Sequence, residues 1–377
     1  MPPAMALVLA SDAEVAAVGS ASLGRGNAVD AVVAAVFGAA ALYPGVLLGP
    51  VQMLIGGAGA GLRAVDGRTR QPGLGNPRPR GALSHGSVPA AGRVGVPALP
   101  AALLAAVATY GKLSVAAVIG PGLEIARGRS KLRAGVLQRI VQRGPAALAD
   151  SQLSDELTAC AGRLAGGLLS VRDLDELRPE LVTAASTRTT GTRELVTVPW
   201  GGAGLREAGG ATLPGPNVRV VVAVDRNGLV AVACYEVPHE GLTLEAFDLV
   251  APFTAAPVLR GEPRVKPGEP RPAPAPIALG QSAGVLDLAV GVGATFDAES
   301  VLAAWLPCFV PASELERDEA LPVGLKGVQR AGSAWGTLAG EDLALAEAAG
   351  SAVARPQPST ATLSEPELSG PDVSDLE

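Results

Sequence analysis

The chain has 377 residues, 30 Lys and Arg against 36 Asp and Glu, a net charge of −6 and only two histidines. Nearly half of it (48%) is apolar but only 3% is aromatic, so a sizeable core has to be closed by tight packing of Ala, Val and Leu. Scattered basic residues leave no nucleic-acid footprint, and His85, His239, Cys160, Cys234 and Cys308 have no metal-ligand spacing, so neither a nucleic-acid partner nor a metal or other cofactor is expected.

The cysteines read as small buried residues of a reducing compartment. Met1–Ser11 has no basic leader, and the uncharged run Ala31–Leu62 is broken by Pro44-Gly45 and Gly49-Pro50. That pattern is read as a buried helix followed by a buried strand rather than a membrane span, in a soluble cytoplasmic protein. One domain is expected over residues 1–355, helix-rich to residue 200 and strand-rich over 201–355. Residues 356–377 carry five acids and no base, and are expected to be a disordered acidic tail. The remainder, with 31 acids against 30 bases, is then close to neutral.

In chain order, Asp12–Leu23 reads as a helix ended by Gly24-Arg25-Gly26. Asn27 caps a second helix, with Asp30 in its first turn, that runs to about Tyr43 and is apolar on nearly every face, hence central. Val51–Ile55 and Leu62–Val65 are predicted strands around a glycine cluster, and Asp66-Gly67 a turn. Residues 71–93 read as an irregular loop. Pro100–Tyr110 is a helix with Gly111 beyond it, followed by helices over roughly 114–127, 131–142 and 153–165, with Gly120-Pro121-Gly122 interrupting the first. Ser170 and Asp173 have capping-box spacing for a short helix ending before Pro179.

Strands then take over. Glu194–Val198 is one; Asn217–Val224 and Leu229–Tyr235 form a hairpin around Asp225-Arg226-Asn227-Gly228, since Asn-Gly between β-branched runs favours a tight turn. A proline-rich connection over residues 260–276 is followed by a short strand at Ile277–Leu279 and a helix at Glu299–Leu306. Helices first and strands later, without βα alternation, predict an α+β fold, a four-layer αββα sandwich.

Four segments together resemble the γ-glutamyltransferase (γ-glutamyltranspeptidase) family. They are Gly24–Ala31, Val94–Ala98 with Tyr110–Leu113, Gly166–Glu180, and the hairpin with Asp225–Gly228 at its turn. The resemblance covers about residues 12–285 and implies an N-terminal-nucleophile hydrolase-like fold, normally matured by self-cleavage before a Thr. Such a Thr uses its own α-amine as base, which agrees with the scarcity of histidine. Anchored on Asp225, the nucleophile falls on Val218, which has no nucleophilic atom; Thr212 is the nearest hydroxyl and only a remote substitute.

Other family positions also depart. The Thr-x-Thr-x-Asn segment falls on Cys234–Pro238, the Ser-Ser pair on Pro272-Ala273, and the oxyanion glycines on Ala283-Gly284. The arginine for a γ-glutamyl carboxylate is expected after Gly67, at Arg78 or next at Arg80. The resemblance thus implies a degenerate, unprocessed homologue acting as a binding or structural subunit, able to self-associate, with a γ-glutamyl small molecule as ligand. An active transferase or hydrolase of glutathione-like amides is the alternative.

Simpler readings stand beside these. Gly56–Gly61 could cradle a nucleotide or phosphate, but a strand rather than a helix follows, so tight glycine packing is expected. Arg68, Arg70, Arg78 and Arg80 read as solvent-facing, with binding of an anion as the alternative. Asp155, Glu156, Asp173, Asp175 and Glu176 read as solvated helix faces, and His85 and His239 as surface residues.

Overall fold

A computed structural model describes residues 6–77, 79–184, 186–190, 193–200, 207–208, 211–212, 217–238, 240–293, 298–306, 321–331 and 334–340. The expected acidic tail, Arg78, His239 and Cys308 lie outside the described residues.

The first half is helical with a strand pair set into it. Strand β1 (Leu7–Ala10) leads into α1 (Ala13–Leu23) and α2 (Ala28–Leu42). The hairpin β2 (Val51–Gly56) and β3 (Arg63–Gly67) follows, and then α3 (Leu99–Tyr110), α4 (Val115–Arg129), α5 (Lys131–Arg143), α6 (Ser151–Ala161) and the short α7 (Val171–Asp175). The second half is almost all strand: β4 (Glu180–Thr183), β5 (Ser186–Thr190), β6 (Arg193–Thr197), the two-residue strands β7 (Glu207–Ala208) and β8 (Ala211–Thr212), β9 (Asn217–Val224), β10 (Val230–Val237), β11 (Gly241–Leu244) and β12 (Leu249–Pro252). It closes with β13 (Ile277–Ser282), β14 (Val285–Val292), α8 (Ala298–Trp305), β15 (Leu325–Ala331) and β16 (Ala334–Ala339).

Two six-stranded antiparallel sheets carry the fold, in the orders β1-β9-β10-β2-β3-β4 and β16-β15-β14-β13-β6-β5. Side-chain alternation along the strands assigns their faces. Val221, Ala223, Ala231, Ala233 and Tyr235 join α1–α6 in one core, whereas Val218, Val220, Val222, Val224, Val230, Val232 and Cys234 pack between the sheets with Val196, Ile277, Leu279 and Ala289. A third cluster holds Leu302 and Leu306 against Leu195, Leu288 and Val290 on the far face of the second sheet. The layers are therefore helix, sheet, sheet and helix, the predicted αββα sandwich, with α8 as the outer helix among the described residues. Because β9 and β10 are buried on both faces, their valine run does not alternate with polar residues.

α2 is buried from Ala28 to Ala41, as its uniformly apolar sequence predicts. The predicted interruption of the next helices does not occur: α4 runs through Pro121, which gives up one backbone bond. Gly122 is instead a contact point, because a Cβ there would lie 2.9 Å from the Phe37 carbonyl oxygen of α2. The glycine lets the two helix backbones touch. Among the described residues, no helix is long and apolar enough to cross a membrane.

The segments that carried the family resemblance are largely structural ties. Asn27 Oδ1 accepts from the Val29 and Asp30 amides and its amide donates to Tyr110 O at 2.6 Å. Asp30, fully buried, accepts from the amides of Asn27, Lys112 and Leu113. The first two segments of the resemblance thus bind each other. In the third, Asp173 caps α7 and accepts from the amides of Gly73 and Leu74 at 3.0 and 2.9 Å. Read from sequence as solvated, Asp173 is only 2% exposed, because it holds the loop after β3.

Candidate functional site

The ladder registers bring the start of β9, the end of β10, the start of β2 and the end of β3 to one edge of the sandwich. Val218 lies opposite Glu236, Val220 opposite Cys234, Cys234 opposite Gln52, and Gln52 opposite Asp66. Directly opposed residues share a face, so Val220, Cys234, Gln52 and Asp66 form a transverse row turned toward the second sheet. Glu236 and Val218 form the next row outward, 5% and 1% exposed.

Asp66 anchors the polar part of this edge. It is the penultimate residue of β3 rather than part of a turn, and it is fully buried. Its Oδ1 accepts from Arg68 N and Nε at 3.0 and 2.9 Å, and its Oδ2 accepts from Arg68 Nη2 and Arg70 Nη1 at 2.9 and 3.0 Å. Burial opposes the charged form of Asp66, but the Arg68 hydrogen bonds and the Arg70 and Arg68 charges outweigh it and hold the carboxyl below its ordinary range. Arg68 stacks on Trp200 at 4.7 Å, and the Trp200 indole donates to Gln52 Oε1. Gln52 Nε2 in turn donates to the carbonyls of Ala273 and Pro274, at 3.0 and 2.6 Å.

Arg68 and Arg70 are therefore not solvent-facing, as the loop composition suggested; their side chains are 13% and 6% exposed. A single carboxylate neutralises only one of the two guanidiniums. Arg70 Nη2 is buried and has no hydrogen-bond partner among the described residues. What the sequence reading missed was the alternation along Asp66-Gly67-Arg68-Thr69-Arg70, which sends all three charges to one side of an extended segment.

The other expected site residues are spread apart. Val218 is packed with Val220 and Val198 between the sheets, and Asn217 continues the strand before it. Thr212 lies in β8, paired with Glu207 of β7. Arg80 is exposed, and Arg78 lies outside the described residues.

Gly284 sits in the β13–β14 turn with φ +76°. β14 runs from that turn to Val292, and at Gly293 just beyond it a Cβ would lie 3.1 Å from Val218 O. At ~3.3 Å per residue, Gly284 is roughly 25–30 Å from Val218. The sequence assignment is therefore corrected: the structure does not bring Gly284 to this edge. Gly293, at the other end of the same strand, is the glycine beside the Val218 peptide. The signal available in sequence was its place at the end of the Val-rich run rather than at the start.

Behind β9, on the helix-facing side, Arg219 lies across from Tyr235, and Tyr43 donates to Asp12 Oδ1 at 3.0 Å. Burial, then the Asp12 charge, raises the phenol pKa of both Tyr43 and Tyr235. The glycine cluster lies at the far end of β2, in the loop of the β2–β3 hairpin. Gly57 takes φ +82°, and a Cβ there would lie 2.2 Å from Gly228 O. This glycine therefore serves a close backbone approach to the β9–β10 turn.

No protein-family model matches this chain, and no curated protein matches it in sequence. Its fold is nevertheless similar to solved structures. A cephalosporin acylase from Bacillus halodurans superposes with a TM-score of 0.58 at 16% identity, covering 77% of this chain and 78% of that one. LmbA2991HD superposes with a TM-score of 0.62 at 14% identity, covering 83% and 84%. The fold is that of the N-terminal-nucleophile hydrolases. A γ-glutamyltranspeptidase from Pseudomonas nitroreducens also aligns, at 20% identity over 50% of this chain and 69% of that one, but its TM-score of 0.42 carries no weight. Within an N-terminal-nucleophile hydrolase fold, the edge built by Val218, Gly293, Glu236 and the Asp66–Arg68–Arg70 cluster is the candidate site.

Proposed function

We propose that this protein is a γ-glutamyltransferase-like chain that has lost self-cleavage and acyl transfer, and that it serves as a binding subunit for a small γ-glutamyl or similar carboxylate ligand. The observation that carries this reading is Val218. It occupies the position where the family resemblance places the nucleophile, 1% exposed and packed between the sheets. An isopropyl side chain offers neither a hydroxyl to attack the preceding peptide nor an oxygen to form an ester with substrate. Gly293 packs closely against the Val218 carbonyl, where a Cβ would lie 3.1 Å from its oxygen.

Ligand binding is supported by the pair of guanidiniums around one carboxylate. The second positive charge and the unpartnered Arg70 Nη2 suit a carboxylate, with Arg68 held in place by Trp200. The active-enzyme alternative requires Thr212, which lies on a different strand from Val218.

Denaturing electrophoresis and a γ-glutamyl anilide assay test the first half of the proposal. One intact band and no anilide release are expected; two fragments divided before residue 219, or catalytic release, would overturn it. Titration with glutamate and glutathione, read as a melting shift, tests the second half. Stabilisation that is lost in Arg68→Ala is expected, and its absence for every carboxylate offered would refute ligand binding at this edge.

A further inference from the structure

Beside the loop that carries Arg68 and Arg70 lie two adjoining cavities of about 560 and 440 Å³. They share Asn76, Pro77, Pro79, Leu168 and Val258, and so form one continuous groove. Its walls are tied together by hydrogen bonds to the backbone. Ala82 N donates to Val258 O and Arg260 N to Ala82 O, both at 2.9 Å, while Asn76 Nδ2 donates to Leu168 O at 2.6 Å. The Asp173 bonds to Gly73 and Leu74 fix the same loop. With prolines restricting φ as well, the groove is preformed, and little ordering is needed on binding.

Its chemistry is apolar inside and basic around. Arg80 and Arg163 line one cavity; Arg264, Lys266 and the single acid Glu262 line the other. Arg80, Arg163, Arg264 and Lys266 are exposed and make no ion pair with a described residue. Leu83 and Leu164, 78% and 103% exposed, are chain neighbours of the lining residues Ala82 and Arg163. Four cations with no ion-pair partner among the described residues thus line one groove that holds a single acid, Glu262.

We propose that this groove is a docking site for an extended, acidic, leucine-bearing segment of a partner protein. Charge complementarity selects the acidic character, and the apolar lining of Leu168, Val258, Val265 and the prolines selects apolar side chains such as leucine among the acids. No aromatic side chain lines the groove to stack on bases, which sets a single-stranded nucleic acid aside. This proposal does not depend on the nucleophile reading.

The test is fluorescence anisotropy of the full chain with a labelled extended peptide of Glu, Leu and Pro, at low and at moderate salt. Saturable binding is expected, several-fold weaker at moderate salt because the rim charges are exposed. The double reversals Arg80→Glu with Arg163→Glu, and Arg264→Glu with Lys266→Glu, should each weaken it at least tenfold. Leu164→Ser should weaken it several-fold without changing the salt dependence. All five side chains are exposed, so unchanged melting curves confirm that the variants fold. Absence of saturable binding overturns the proposal, as do reversals that leave affinity within twofold. A leucine-free acidic peptide that binds equally well would reduce the groove to a general polyanion surface. Tighter binding of an oligonucleotide of equal length would reassign it to nucleic acid. A concentration-dependent dimer abolished by Leu164→Ser would assign the groove to a second copy of this chain.

Discussion

Replacing Asp66 by Asn tests how the candidate site is held together. Asp66 accepts four hydrogen bonds, three from Arg68 and one from Arg70, at 2.9–3.0 Å. The amide in Asp66→Asn keeps the shape and one accepting oxygen but removes the charge, leaving Arg70 buried with no counter-ion identified among the described residues. Removing one partner of a buried ion pair costs about 3–5 kcal/mol. The Arg68 side chain, 13% exposed, can regain some water, so a loss at the lower end, about 3 kcal/mol, is expected at pH 7.

The assay is urea unfolding of both proteins, followed by tryptophan fluorescence across a pH series. At an m-value of ~3 kcal/mol/M the midpoint falls by about 1 M. The folded-state pKa of Asp66 lies below its unfolded value, so its stabilisation is complete above the unfolded carboxylate pKa of about 3.9 and fades as pH falls through the folded value. The gap between wild type and variant should hold from pH 8 to 5 and narrow below about pH 4. A gap under about 0.5 kcal/mol, or one that persists unchanged at low pH, would refute the claim that this carboxylate neutralises a buried guanidinium.

Three further outcomes follow from particular contacts. Gly122→Ala gains about 1 kcal/mol of helix propensity but forces a Cβ to 2.9 Å from the Phe37 carbonyl oxygen. A net loss of about 1–3 kcal/mol is expected, and a raised melting temperature would contradict the close approach of α2 and α4. Asp30→Ala strips the acceptor from the Asn27, Lys112 and Leu113 amides, costing about 2–3 kcal/mol; hydrogen exchange over residues 110–113 should become fast, and unchanged protection there would count against the tie. Cys234 is buried, and burial followed by the Glu299 and Glu236 charges pushes its thiol pKa up. Peptide mapping after iodoacetamide at pH 8 should find it labelled only in denaturant, and native labelling within tenfold of the denatured rate would contradict its burial.

Legibility of the fold followed the strength of local patterning. α2, with its Asn27–Asp30 cap and uninterrupted apolar run, and β9, bounded as expected at Asn217–Val224, were both readable because burial on all sides leaves no polar residue to confuse the period. β1, β4, β5 and β14–β16 were not. Val285–Val292 carries Asp287 and Gly291, Ser186–Thr190 is polar throughout, and Leu325–Ala331 mixes polar and apolar residues without regular alternation. Such strands are specified mainly by the neighbours they pair with. The hairpin turn Asp225–Gly228 was legible and gave the register by which the family resemblance places Val218 at the expected nucleophile position. Arg68 and Arg70 were misjudged as solvent-facing, since nothing in a loop composition says that Asp66 is buried beside them.

The sequence by itself therefore determined the class of fold, the central helix, the hairpin and the absence of a nucleophilic atom at Val218. These rest on local chemistry: caps, turn residues, runs of apolar side chains and the identity of one residue. Tertiary structure alone decided which residues meet at the edge of the sandwich. It set Gly293 rather than Gly284 beside Val218, turned Asp66, Arg68 and Arg70 into one buried cluster under Trp200, and made Asn27, Asp30 and Asp173 the ties that hold the surrounding loops. Those placements depend on strand order and on contacts between residues as far as 222 positions apart in the chain, as between Gln52 and Pro274. No local pattern in a sequence encodes them, because they come into being only when the two sheets are stacked.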